Sequence, residues 1–98
     1  MVSDILSKRL VLSEHALSSP VGDETVILHT RNGTYFGLDP IATQVWALLK
    51  DGVAPPEICA QISRDYDVDP AVVEQDVASL LSELESNGVL TALDTADG

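Results

Sequence analysis

A turn, a strand and a helix start follow one another with no spare residues in the middle of this chain. Asn32-Gly33, placed between two apolar-rich segments, is the dipeptide typical of a tight β-hairpin in which both central turn positions take positive φ. Asp39-Pro40 then offers a side-chain acceptor for an N-cap and a ring-fixed φ for the first helical turn. We therefore predict a hairpin whose second strand, Thr34–Leu38, leads directly into a helix.

Three amphipathic helices are predicted after this strand. The first runs from about Pro40 to Lys50 and stops at Gly52, because glycine suits the left-handed position after a helix. Its buried stripe is predicted from the spacing i, i+4, i+7 and i+8. The stripe consists of Ile41, Val45, Leu48 and Leu49. The second helix starts near Pro55, with an inward face made of Ile58, Cys59 and Ile62.

The third helix repeats the start signal of the first. It opens with Asp69-Pro70 and ends at Asn87-Gly88. We expect Val89 and Leu90 to fold back over its last turn as the apolar contact of a C-cap. Its apolar stripe consists of Val73, Val77, Leu80, Leu81 and Leu84.

Three short strands are predicted before the helices. They are Lys8–Ser13, Thr25–Thr30 and Thr34–Leu38, with a loop at Ser18–Asp23 between the first two. In the last strand Phe36 and Leu38 share the face that we assign to the core, and Tyr35 points to the other face. The pattern predicts an α+β domain, winged-helix-like, with a three-stranded antiparallel sheet followed by three helices.

Length and charge exclude several functions. Ninety-eight residues predict a single domain spanning 1–98, in which 94–98 reads as a frayed tail. Five basic residues face sixteen acidic ones, and this net charge of −11 opposes binding to nucleic acid or to an anionic membrane. No apolar run approaches the roughly 20 residues that span a bilayer, and the mixed-charge start lacks a signal-peptide pattern. We expect a cytoplasmic protein.

Catalytic signatures are absent from the sequence. It contains no phosphate-binding GxxxxGK[ST] loop and no HExxH, CxxC or GxSxG motif. His15 and His29 have no neighbours that would complete a catalytic group, and Cys59 lies on a predicted apolar stripe. We therefore predict a protein that is not an enzyme and that uses no metal or cofactor.

Peptide capture at a sheet edge is compatible with these exclusions. A sheet of three consecutive strands leaves at least one edge with unpaired N–H and C=O groups, and an extended peptide can pair with them. The alternative is that a helix or the C-terminal tail covers this edge. The residues alone leave both possibilities open.

The segments Asn32–Pro40 and Ala42–Leu49, with the Asp51-Gly52 stop, resemble PqqD-like proteins. This is the family of RiPP precursor peptide recognition elements, and the resemblance covers about residues 8–92. The chain is most similar to the stand-alone members of lasso peptide biosynthesis. The resemblance implies binding of the leader region of a precursor peptide and its delivery to a leader peptidase and a macrolactam synthetase.

Two alternatives accompany this interpretation. Other family members act with a radical SAM enzyme in pyrroloquinoline quinone biosynthesis. A winged-helix transcriptional regulator is the competing class, although the helix predicted at Pro70–Ser86 contains no Lys or Arg. A homodimer that joins its own sheet edges is a further possibility, so we predict a monomer or a weak homodimer.

The family's docking mode predicts the site. The leader adds as an antiparallel strand to the third strand and lies against the third helix. The strand residues implied are Gly33, Thr34, Tyr35, Phe36, Gly37 and Leu38, and the helix residues are Val72, Val73, Asp76, Val77 and Leu80. Tyr35 either packs in the core or contacts the leader, whereas core packing is favoured for Phe36, Trp46 and Leu80. Asp76 either pairs with a leader Lys or Arg or belongs to a solvated helix face.

Overall fold

A computed structural model describes residues 2–93 of the chain. A 3₁₀ helix, Val2–Ser7, precedes the strands and helices. The strands are β1 (Arg9–Leu12), β2 (Ala16–Val21), β3 (Glu24–His29), β4 (Thr34–Leu38) and β5 (Leu90–Leu93). The helices are α1 (Pro40–Lys50), α2 (Pro55–Tyr66) and α3 (Pro70–Ser86). The α+β class, with three helices and a three-stranded antiparallel sheet, is as predicted.

The strand assignment differs from the prediction. The three-stranded sheet has the order β2-β3-β4, and β1 pairs with β5 in a separate two-stranded antiparallel sheet. The predicted first strand is therefore present but belongs to the other sheet. The predicted loop at Ser18–Asp23 is wrong, because Ser18–Val21 is part of β2. Its polar and proline-containing sequence is accommodated at a sheet edge, where one side of the strand needs no donors.

The hairpin between β3 and β4 forms, but its turn is longer than predicted. The loop has four residues, 30–33, and His29 pairs with Thr34 at its base. Gly33 has φ of 71°, whereas Asn32 is not among the described residues with positive φ. Instead the Asn32 side chain accepts a hydrogen bond from the Thr34 N–H at 3.0 Å. The asparagine thus supports the turn through its side chain and not through a left-handed backbone.

Helix α1 begins directly after β4. The Asp39 side chain accepts the Ala42 N–H at 2.7 Å, which is the predicted N-cap. Val45 and Leu49 are buried and Leu48 is half-buried. Ile41 is 41% exposed, so its predicted place on the buried stripe is wrong. It lies in the first turn, at the rim of the core.

Helices α2 and α3 also contribute side chains to the hydrophobic core. Ile58, Cys59 and Ile62 are buried as predicted. Burial, with a contribution from Glu74, raises the pKa of the Cys59 thiol, so this cysteine behaves as a small apolar side chain. On α3 the predicted stripe is buried except for Leu80, which is half-buried.

The end of α3 combines a cap with a new strand. Val89 donates its N–H to the Leu84 carbonyl at 2.9 Å and is fully buried, which confirms the predicted C-cap contact. Leu90 is also buried, and it is the first residue of β5, which was not predicted. The predicted tail at 94–98 lies outside the described residues. Within 2–93, no helix has the length and apolar character needed to cross a membrane.

Candidate functional site

Strand β4 has a free edge. Within the described residues β3 is its neighbour on one side, and no strand pairs with the other side. The direction of the backbone groups follows from two hydrogen bonds at the end of β3. Thr30 donates its N–H to the His15 carbonyl at 2.8 Å, so its backbone points toward β2. The His29 carbonyl accepts the Gly33 N–H at 2.8 Å, so the His29 backbone points toward β4. In an antiparallel ladder these directions alternate along the strand.

The alternation identifies the free groups of β4. Odd-numbered residues of β3 direct their backbone toward β4, and their register partners include Phe36, opposite Ile27, and Leu38, opposite Thr25. These partners bond back to β3. Tyr35 and Gly37 therefore direct both N–H and C=O away from β3, toward the free edge. An extended peptide alongside β4 would find two donors and two acceptors there.

A groove lies beside this edge and consists of two adjoining recesses. The first, about 420 Å³, lies between β4, the start of α1 and α3. It is lined by Tyr35, Phe36, Gly37, Leu38, Asp39, Ala42, Leu80, Glu83 and Leu84. The second, about 370 Å³, lies between α1 and α3. It is lined by Asp39, Ile41, Ala42, Val45, Asp76, Val77, Ser79, Leu80 and Glu83. We call both together the β4–α3 groove.

The groove combines an apolar floor with carboxylates. Most of its lining side chains are apolar, and no Lys, Arg or His is among them. Three residues are acidic: Asp39, Asp76 and Glu83. The Asp39 carboxylate is already engaged in the α1 N-cap. Asp76 and Glu83 are exposed residues of α3.

The structure brings most of the predicted site residues to the groove. Tyr35, Phe36, Gly37, Leu38, Asp76, Val77 and Leu80 line it. Gly33 lies in the preceding turn and Thr34 is the first residue of β4. Val72 is 48% exposed and lines neither recess, and Val73 is buried in the core. The two neighbouring valines are thus set apart from the residues around Leu80.

Exposure decides between the alternatives for single side chains. Tyr35 is 69% exposed, so core packing is wrong for this residue. Phe36 and Leu80 are half-buried against the core, and Trp46 is buried, as predicted. Tyr35 points away from the core and Phe36 toward it, which confirms the predicted alternation along β4.

Sequence reasoning missed several groove residues, of which Ile41 and Glu83 matter most. Ile41 was assigned to the core because of its helical spacing. Glu83 was not singled out, although it follows Asp76 by seven residues and Leu80 by three, and therefore lies on the same face of α3. This spacing was the signal available in the sequence.

The two histidines lie outside this groove. Their rings are 6.1 Å apart between centroids, and His29 is buried whereas His15 is half-buried. Within residues 2–93 no group of three or more His, Cys, Asp or Glu side chains is arranged to hold a metal ion.

Comparison with known proteins gives one family and two similar structures. The family described as Coenzyme PQQ synthesis protein D (PqqD) matches residues 24–90. The structure of TbiB1 in complex with the TbiA(beta) leader peptide is 39% identical, with a TM-score of 0.77, and the match covers 81% of this chain and 92% of that chain. The structure of lasso peptide synthetase B1 complexed with the leader peptide is 25% identical, with a TM-score of 0.78, covering 85% of this chain and 98% of that one. A search of curated proteins gave no match.

Proposed function

This chain belongs to the PqqD family, and on that premise we propose that it is a non-catalytic protein that binds the leader region of a ribosomally synthesised precursor peptide. The leader adds as a strand along β4 and contacts α3 across the β4–α3 groove. Two similar proteins have been solved with leader peptides, which supports this assignment.

The free backbone groups of Tyr35 and Gly37 carry the proposal. Strand addition takes its affinity from main-chain hydrogen bonds and its selectivity from pockets for alternate side chains. The arrangement supports both features, because the unpaired edge adjoins a groove lined mostly by apolar side chains. On the leader strand, every second side chain would face the groove.

Binding of this kind delivers the precursor peptide to processing enzymes and does not itself catalyse a reaction. The leader loses conformational entropy when it becomes a strand, and this cost lowers its affinity for the area that it buries. In return, the core peptide attached to it is held at a high effective concentration near any enzyme that binds this protein. The enzymes that we propose as recipients are a leader peptidase and a macrolactam synthetase.

The lasso pathway is favoured over pyrroloquinoline quinone biosynthesis by one of the two similar structures. That structure is described as a lasso peptide synthetase B1. The matching family takes its description from coenzyme PQQ synthesis, so the radical SAM pathway remains the second candidate. Pull-down of purified peptidase and radical SAM partners with the leader-bound protein would separate the two pathways.

The direct test is fluorescence anisotropy of a labelled leader peptide titrated with this protein. The leader would be taken from the precursor gene that neighbours the gene of this chain. We expect saturable binding that a scrambled leader does not show. Absence of binding to the folded protein would contradict the proposal and return the β4 edge to a structural role.

A DNA-binding regulator is the competing function, and the winged-helix description remains a prediction. Helix α3 would be the recognition helix, but it carries four acidic residues and no Lys or Arg. Held against phosphates it would be repelled. We expect no shift of duplex DNA in a gel-shift titration at low salt, where any DNA-binding protein binds without sequence preference.

A further inference from the structure

Two carboxylates on α3 bracket the apolar centre of the β4–α3 groove. Asp76 precedes Leu80 by four residues and Glu83 follows it by three, so all three lie on one face of the helix. At a rise of about 1.5 Å per residue, the carboxylate-bearing residues lie about 6 Å before and about 4.5 Å after Leu80 along the axis. Glu83 lines both recesses, whereas Asp76 lines the second.

Within residues 2–93, no Lys, Arg or His forms an ion pair with these carboxylates. Helix α3 contains no Lys or Arg, and none lines the groove. The ion pair found within residues 2–93 joins His15 to Glu14, away from α3. The carboxylates of Asp76 and Glu83 therefore remain available to a partner, in a chain whose net charge of −11 already attracts cationic ligands.

We propose that the β4–α3 groove selects leader segments in which an apolar side chain is flanked by Lys or Arg, with Glu83 and Asp76 as the residues that determine this preference. The inference rests on the proposed function and adds the chemistry of the ligand. The apolar side chain contacts Leu80, and the flanking cations pair with the two carboxylates.

The spacing of a strand fits this arrangement. Side chains on one face of a strand recur about every 6.6 Å, since each residue rises about 3.3 Å. If the leader strand runs along α3 with an apolar residue at Leu80, its next groove-facing side chains lie close to Asp76 on one side and Glu83 on the other. The flexible stems of Lys and Arg take up the remaining difference.

The same carboxylates disfavour acidic leaders. A leader Asp or Glu facing Asp76 or Glu83 would place like charges together beside an apolar surface, which costs affinity. The groove therefore attracts basic segments and rejects acidic ones. The backbone hydrogen bonds to Tyr35 and Gly37 do not depend on the leader's side chains, so this selectivity comes from the carboxylates.

Selection from a display library of short random peptides tests this inference. The wild-type protein, the E83Q variant, the D76N/E83Q variant and an E85Q variant would each be used as bait. Glu85 is an exposed acidic residue of α3 that lines neither recess, so E85Q matches the charge change outside the groove. A Tyr35→Pro bait reports on strand addition itself, because it removes a free-edge donor.

We expect the wild type and E85Q to enrich peptides with Lys or Arg two residues from an apolar residue. D76N/E83Q should keep the apolar residue and lose the basic preference, and each neutralised carboxylate should weaken a basic peptide by about two- to fivefold at low salt. The inference about basic residues would be overturned if the wild type enriched apolar peptides without Lys or Arg. It would also be overturned if D76N/E83Q enriched basic peptides as strongly as the wild type. Neither outcome would contradict leader binding itself. The proposed function would be contradicted as well if the wild type enriched no peptides. The same holds if Tyr35→Pro enriched the same peptides as the wild type.

Discussion

The three-stranded sheet has two outer edges, and they differ in chemistry. In β2 the outward backbone positions are Ala16, Ser18 and Pro20, because Val21 pairs with Glu24 across a two-residue turn and the ladder alternates from there. In β4 the outward positions are Tyr35 and Gly37. Pro20 has no N–H, so it removes one of the donors that another strand would need. The β4 edge keeps every donor that faces outward.

Their surroundings differ as well. The β4 edge adjoins a groove whose floor is apolar and whose charges are all negative. At the β2 edge, the Ser18 hydroxyl lies 3.3 Å from Lys50 Nζ. A proline in an edge strand protects against unwanted pairing. The β2 edge thus lacks one outward donor at Pro20, whereas the β4 edge keeps both of its outward N–H groups beside an apolar and acidic groove.

Proline substitutions on the two edges should give the largest difference in leader affinity. Tyr35→Pro removes an outward donor of β4, and we expect leader affinity to fall at least about tenfold. Ser18→Pro makes the matching change on β2 and should leave leader affinity unchanged. Anisotropy titrations give the affinities, and circular dichroism with thermal melts confirms that both variants fold. Equal affinities of folded Tyr35→Pro and wild type would show that the leader does not use this N–H.

The groove wall gives the next largest effect. Leu80→Ala shortens an apolar side chain that lines both recesses, and we expect leader affinity to fall roughly three- to tenfold. Val72→Ala is the matched control on the same helix, because Val72 is exposed and lines neither recess. Isothermal titration of both variants measures the difference. A larger loss for Val72→Ala than for Leu80→Ala would move the leader to another face of α3.

Opening the second edge should have a smaller effect. Pro20→Thr restores an outward N–H to β2, and we expect weak self-association through this strand while folding stability changes by only about 0.5 kcal/mol. Sedimentation velocity over a range of concentrations detects it, with the wild type as reference. A variant that associates no more than the wild type at every concentration would mean that Pro20 does not protect this edge.

The smallest effect is expected at Gly37. This glycine does not have positive φ, and a Cβ added to it would meet no atom within 4 Å. Gly37→Ala should therefore leave leader affinity within about twofold and raise stability slightly, since alanine loses less conformational freedom than glycine on folding. Thermal melts and anisotropy measure both quantities. A strong loss of binding would show that the leader or a partner closely approaches the outer face of the sheet and not only its edge.

Local signals predicted the three helices and the existence of the β3–β4 hairpin, although not the length of its turn, because caps and spacing are set by neighbouring residues. Asp39, Asp69 and the helix-ending glycines act where the sequence placed them. The β1–β5 pair was not predicted, because it joins segments about eighty residues apart, such as Leu12 and Leu90. Strand β2 was missed because Ser18-Ser19-Pro20 has loop composition, and only its position at an edge makes a strand possible.

The candidate site was predicted in part for the same reason. Alternation along β4 correctly separated Tyr35 from Phe36. The wall contributed by α1 was not predicted, because Ile41 has the spacing of a core residue and only tertiary packing leaves it 41% exposed. The sequence does not distinguish Glu83 from a solvated acidic residue, because its place in the groove depends on the packing of α1 against α3.

Amide hydrogen exchange by NMR, with and without the leader, tests directly whether the leader adds as a strand to β4. We expect the Tyr35 and Gly37 amides to exchange quickly in the free protein and to become protected when the leader binds. The Ser18 amide at the other edge should not change. Saturating leader binding with no added protection at either Tyr35 or Gly37 would contradict strand addition to β4.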